Sequence, residues 1–263
     1  MTFEKNALNC SEADFQKLIR IVWNDIAQSD DFIKPRQIKP IGYVLGGQPG
    51  AGKSSLSAIV MANLNKNVIS ISGDDYRPYH PYFDVIQQLY KEEAAQYTAK
   101  FAGRMTELLI EKALNEKYNI VVEGTFRTST VPLNTLKKMK NVGYSTGVLV
   151  QICDKKISWK SCQERYQKML EANPLLARAV DKSHHDLVVK QLPFTIQEVY
   201  NSGISDNFEI FERYVTQKSF AIKNIFNSSK QKTLEINKIQ NILEGKQSEK
   251  KLCKKSFYDD FSL

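Results

Sequence analysis

Residues 47–54 read GQPGAGKS, a spacing that fits G-x-x-x-x-G-K-[ST]. Glycines let a chain wrap tightly enough to aim backbone N–H groups at phosphate oxygens. The lysine of such a loop reaches the β- and γ-phosphates of a nucleotide, and its hydroxyl residue serves Mg2+. The residues expected to hold a nucleotide's phosphates are therefore Gly47, Gln48, Pro49, Gly50, Ala51, Gly52, Lys53, Ser54 and Ser55, with Ser54 as the metal-side hydroxyl. A loop of this kind names a donor and leaves the acceptor open. Kinases, GTPases, motor ATPases and sulfotransferases share it, and no N-K-x-D signal marks a guanine-specific protein.

Three further stretches carry groups that a phosphoryl acceptor would need. In SGDDYRPYHP (72–81), Asp74 or Asp75 could position and deprotonate a hydroxyl. The plain alternative is a turn aspartate that caps a helix. In VVEGTFRTS (121–129), Glu123 follows an apolar run and precedes a glycine, with Thr125 and Arg127 close behind. In QERYQKMLEANPLLARAV (163–180), Arg165 and Arg178 flank Pro174, an arrangement able to close over phosphates and neutralise transition-state charge. Surface arginines are common, so spacing alone does not decide this. His80, His184 and His185 have no metal-ligand spacing, which argues against a zinc site.

The elements that must position these groups alternate. Apolar runs at 41–46, 67–72, 118–124 and 144–153 read as strands. Helical patterns fill 11–29, 54–65, 84–117, 132–143, 158–172 and part of 181–200; the long one is expected to break near Phe101–Gly103. Ser11 and Asp14 make a capping box for the first helix. NFEIFER and KSFAI read as strands at a sheet edge or a late hairpin. Alternation of this kind specifies an α/β fold, a mostly parallel sheet flanked by helices. An aspartate or glutamate at a strand's C-terminal end then lies in the ligand crevice. The expected organisation is an N-terminal helical extension (1–40), a P-loop core (41–215) and a basic C-terminal region (216–263), the two ends being appendages on one core, with packing of the C-terminal region on the core left open.

Composition narrows the partners. An apolar share of 42% with 25% charged residues is that of a soluble globular protein. No apolar run is long enough for a membrane span, and MTFEKNALNCSEADF lacks the apolar stretch of a secretory signal. Four cysteines (Cys10, Cys153, Cys162, Cys253) are scattered without pairing, so a cytoplasmic location is expected. The net charge of +8 could suggest nucleic acid. Residues 217–255, however, hold ten lysines against three glutamates, so the charge sits away from the motif. Nucleic acid is thus not the expected partner of the core.

The segments GQPGAGKSS, GDDYRPYHPYF, GRMTE, VVEGTFRTSTVP, ERYQKML, ARAV and HHDLVVKQLP occur here in the order seen in the zeta toxin family, and the resemblance runs from about residue 41 to 193. That family comprises P-loop kinases of bacterial toxin–antitoxin pairs that phosphorylate the sugar 3′-hydroxyl of UDP-N-acetylglucosamine. The resemblance implies Lys53, Asp74 (not Asp75), Arg165 and Arg178 as catalytic residues. It implies Glu107, Glu123 and Thr125 as acceptor contacts, beside Arg127. It also implies ATP and Mg2+, a small helical antitoxin as partner, and interference with cell-wall synthesis. Two positions depart from the pattern: Ser72 replaces a frequent acid, and Phe126 a frequent small residue, with an expected effect on the acceptor pocket. The alternatives are a kinase of the same fold acting on another nucleotide or dinucleotide, and a nucleotide-dependent RNA-binding switch that uses the basic tail.

Overall fold

A computed structural model describes residues 10–29, 32–216 and 219–246. Cys253 and the last lysines of the basic stretch lie outside them. The fold is built on a six-stranded sheet in the order β4-β5-β3-β6-β7-β8. Its strands are β3 (Ile41–Gly46), β4 (Ile69–Ser72), β5 (Ile120–Glu123), β6 (Ser145–Ile152), β7 (Asn207–Val215) and β8 (Phe220–Asn227). All neighbours are parallel except the β7–β8 hairpin. Two short strands, β1 (Gln28–Ser29) and β2 (Phe32–Ile33), pair separately. The helices are α1 (Glu12–Ala27), α2 (Ser54–Asn63), α3 (Gly73–Tyr76), α4 (Phe83–Tyr90), α5 (Ala94–Tyr97), α6 (Ala99–Asn115), α7 (Thr130–Asn141), α8 (Lys155–Ala172), α9 (Lys182–Asn201) and α10 (Ile236–Leu243).

The period-two alternation of strand side chains sorts the core into two layers. Val44, Val122, Val148 and Val150 join one cluster with residues of α1, α6, α7, α9 and α10. Leu45, Val121 and Leu149 face the other way onto Leu56 and Val60 of α2. Both faces are buried, which is why these strands read as near-continuous apolar runs. The expected capping box forms: Ser11 N–H donates to Asp14 at 2.9 Å and Asp14 N–H to Ser11 Oγ at 3.2 Å.

Two expectations need correction. The long helix of 84–117 breaks at Lys91 (φ +44°) and again after Tyr97, not at Phe101–Gly103. α6 runs through Gly103, where an added Cβ would meet nothing within 4 Å; the glycine costs only modest helix propensity. The turn comes earlier because Tyr90 and Tyr97 stack at 3.7 Å and fold the chain back. Nor is α1 an appendage. Phe15, Val22 and Trp23 of α1, and Ile239, Ile242 and Leu243 of α10, enter the main core, and a boundary at 215/216 falls inside the β7–β8 hairpin.

Phe126 has a packing role beside its place on the wall of a small cavity next to the acceptor-side one. Its side chain is 3% exposed and belongs to the core. A Cβ on Gly46 would lie 2.6 Å from its ring, so the bare strand end accommodates the aromatic. The residue adopts φ +56° to turn inward. It therefore stabilises the root of the phosphate loop while also lining a cavity of about 300 Å³ that shares Glu123 and Thr125 with the larger one. Phe126→Ala is expected to cost about 3–5 kcal/mol of stability, read by urea unfolding. A loss under about 1 kcal/mol would contradict this packing role.

Candidate active site

Pairing register brings the site together. Leu45 of β3 stands opposite Glu123 of β5, which stands opposite Ser72 of β4. Three chains thus leave the sheet at one level: the loop 47–53, the turn after Glu123, and α3 with its aspartates. This is the carboxyl-end crevice where ligands of open α/β sheets bind.

The loop after β3 holds its shape through its own backbone and two buried glutamines. Gly50 and Gly52 take φ +76° and +94°, conformations that a side chain disfavours. A Cβ on Gly50 would sit 2.0 Å from the Ser158 carbonyl oxygen of α8, so the loop and that helix touch backbone to backbone. Gln48, fully buried, donates from Nε2 to the Cys153 carbonyl at 2.6 Å. Ser55 Oγ donates to the Gly52 carbonyl (2.8 Å) and to Gln151 Oε1 (2.9 Å). α2 begins at Ser54 and points its N-terminal N–H groups into the crevice, the usual anion-binding end of a helix. Lys53 is half-buried and its Nζ donates to the Gly47 carbonyl at 3.1 Å. Burial pushes its ammonium pKa down; Glu123 and Asp74 push it up and Arg165 down.

A cavity of about 670 Å³ opens beside the loop. Lys53, Asp74, Asp75, Glu107, Glu123, Thr125, Arg165 and Arg178 all line it. Asp74 sits in the first turn of α3 with its side chain 52% exposed. Arg77 Nε donates to its Oδ1 at 2.8 Å, and Arg178 Nη1 lies 3.7 Å from its Oδ2. Burial pushes this carboxyl up, but Arg178, Arg77 and Arg165 outweigh it and hold it below the usual carboxylate range. Asp75 goes the other way, because burial raises it and Arg178 only partly compensates. The two adjacent carboxyls are therefore shifted in opposite directions, Asp74 down and Asp75 up. Glu123 Oε1 accepts from Ser57 Oγ of α2 at 2.5 Å.

The two arginines come from a helical hairpin over the crevice. Arg165 is on α8. Arg178 follows a 3₁₀ turn (Pro174–Leu176) between α8 and α9. Asp154 caps α8 by accepting from Lys156 N–H, and Asp181 caps α9 by accepting from His184 N–H. Gln87 of α4, buried, donates Nε2 to the carbonyls of Leu175 (2.7 Å) and Ala177 (3.1 Å), fixing the segment that presents Arg178. Arg178 Nη1 is buried and has no hydrogen-bond partner among the described residues. A buried guanidinium atom left open beside a phosphate loop is what an anionic ligand would satisfy.

Arg127 stands apart. It is exposed and lines an adjoining cavity of about 300 Å³ with Phe126 and His184, sharing Glu123 and Thr125 with the larger one. Several lining groups are not legible in the sequence. Arg77 could be found from its i+3 spacing to Asp74 on a short helix. Val131, Asn134, Thr135 and Lys138 of α7 form a wall. No motif in the sequence marks them; Val131 is an apolar side chain left 67% exposed. A larger cavity of about 820 Å³ lies between α8, α9 and α10, but it contains none of the loop or the carboxylates. Chemistry, not volume, distinguishes the site.

Strand order, phosphate loop and a cavity walled by carboxylates and arginines define a P-loop α/β protein with a kinase-like fold. Residues 24–225 match the family model described as Zeta toxin. The chain is 32% identical over 208 residues to Toxin zeta of Streptococcus pyogenes, spanning 79% of this chain and 71% of that protein. It is 35% identical over 174 residues to Toxin zeta of Enterococcus hirae, 66% of this chain and 61% of that one. The structure described for the PezAT chromosomal toxin–antitoxin system of Streptococcus pneumoniae superposes with a TM-score of 0.77 at 26% identity, over 92% of both chains. The chain belongs to the zeta toxin family.

Proposed function

We propose that this protein transfers the γ-phosphoryl group of ATP to a sugar hydroxyl of UDP-N-acetylglucosamine. The observation that carries the reading is one cavity with the phosphate-loop lysine, an aspartate beside arginines that lower its pKa, and two arginines on its walls. The donor triphosphate would lie on Gly47–Ser55. The acceptor oxygen forms a bond to the γ-phosphorus as the bond to the β-phosphate oxygen breaks, and ADP leaves. Asp74 orients the hydroxyl and takes its proton. Lys53, Arg165 and Arg178 stabilise charge spread over the transferring oxygens. Glu107, Glu123 and Thr125 hold the acceptor, with Arg127 reaching it from the adjoining cavity. Ser54 and Glu123 offer the hard oxygen donors that suit Mg2+, which would neutralise β- and γ-phosphate charge.

Family membership supports the substrate and a toxic role. The likeness to a toxin of the PezAT toxin–antitoxin system supports a proteinaceous antitoxin as partner. Mass spectrometry of a reaction with ATP and UDP-N-acetylglucosamine is the direct test. The expected product is the nucleotide sugar heavier by one phosphoryl group, with the phosphate on the sugar. Transfer to a different nucleotide, with none to UDP-N-acetylglucosamine, would overturn the acceptor assignment.

A further inference from the structure

The acceptor-side carboxylates come from one side of the phosphate loop. Asp74 follows β4 and Glu123 ends β5, and both strands lie to the same side of β3. A donor whose γ-phosphate faces that cavity must send its nucleoside the other way, toward β6 and β7. The flank there is built from β7. Arg213 Nη1 donates to the Gly50 carbonyl at 2.7 Å and Nη2 to Ser161 Oγ at 3.1 Å. A Cβ on Gly52 would lie 3.1 Å from Arg213 Cδ and 3.3 Å from Gln151 Nε2. That Gln151 nitrogen is buried without a hydrogen-bond partner among the described residues.

The Arg213 guanidinium lies 3.8 Å from the centre of the Phe220 ring. Phe220 pairs with Val215 across the hairpin, and the two are 48% and 59% exposed. An exposed aromatic–aliphatic pair is thus fastened to the phosphate loop through a guanidinium that bonds Gly50 and Ser161. We propose that Phe220 and Val215, backed by Arg213, form the shelf that receives the nucleobase of the donor nucleotide. This rests on the loop being the donor site, as argued above. The shelf offers surface for stacking, and Arg213 is held in place by its bonds to Gly50 and Ser161. Stacking discriminates poorly between bases, so ATP and GTP are expected to bind within about tenfold of each other.

The test is calorimetric titration of the full chain with ATP and, separately, with inorganic tripolyphosphate, which has no base. Phe220→Ala is expected to weaken ATP binding by about tenfold, within the range that stacking on an aromatic supports, and to leave tripolyphosphate binding within about twofold. Phe220→Trp should retain ATP affinity. Unchanged ATP affinity in Phe220→Ala overturns the shelf alone. An equal loss for ATP and tripolyphosphate also overturns it, because the loop and not the base would then have been disturbed. A wild-type chain that binds neither ligand sinks the donor reading and the shelf together.

Discussion

Asp74→Ala is expected to lower kcat for phosphoryl transfer by about 10²- to 10⁴-fold, the usual contribution of a positioned proton acceptor, while ATP affinity holds or tightens. The split follows from the contacts. Asp74 lies against Arg77 and Arg178. Removing it leaves two guanidinium groups without that carboxylate, and the crevice becomes more favourable to a polyanion. The acceptor hydroxyl, by contrast, loses the group that orients it. A carboxyl held low by neighbouring arginines is a weak base in the ground state. Transfer through a loose transition state needs little proton abstraction until late, so orientation and late acceptance are the roles left to it. Steady-state kinetics with ATP and UDP-N-acetylglucosamine, beside direct ATP titration, measures both halves. A drop in kcat of under about tenfold, or a kcat loss matched by lost ATP affinity, would remove Asp74 from the acceptor role.

Part of this site is legible in the order of the residues alone. The loop is legible because its chemistry is local: glycines, a lysine and a hydroxyl at fixed spacing between an apolar run and a helix. Asp74 and Glu123 are legible because each ends an apolar run, and strand ends meet at the crevice once the sheet is parallel. What the sequence hides is set by contacts between distant segments. Gln87 fixes the turn before Arg178 from 90 positions upstream of Ala177. Arg213 reaches the Gly50 carbonyl from 163 positions downstream. Phe126 reads as an acceptor-pocket residue because it follows E-G-T. That the bare backbone of Gly46 also draws it into the core is not written in that motif. A glycine is the natural place to expect the break in the long helix, yet a stacked tyrosine pair moves it upstream to Lys91.

Arg178→Ala is expected to have the largest effect, a fall in kcat of about 10³- to 10⁵-fold, the range seen when an arginine that neutralises a transferring phosphoryl group is lost. Its side chain is 24% exposed, and its buried Nη1 lacks a hydrogen-bond partner among the described residues. The desolvation of that atom is thus already in place before an anion arrives. Arg178→Lys should recover little, since an ammonium cannot reproduce the planar fork. A second, independent signature lies in the pH profile. Arg178 is the foremost charge lowering the Asp74 carboxyl against the upward push of burial. Without it, burial gains weight and the Asp74 pKa rises. Asp74 must be ionised to accept a proton, so the acid limb of kcat/KM moves to higher pH in Arg178→Ala. The same limb should vanish in Asp74→Ala. In the double variant the two losses should fall well short of adding, because each residue acts through the same transition state. An acid limb unmoved in Arg178→Ala would show that the arginine does not tune Asp74. A loss of kcat below about tenfold would show that it does not clamp the phosphoryl group.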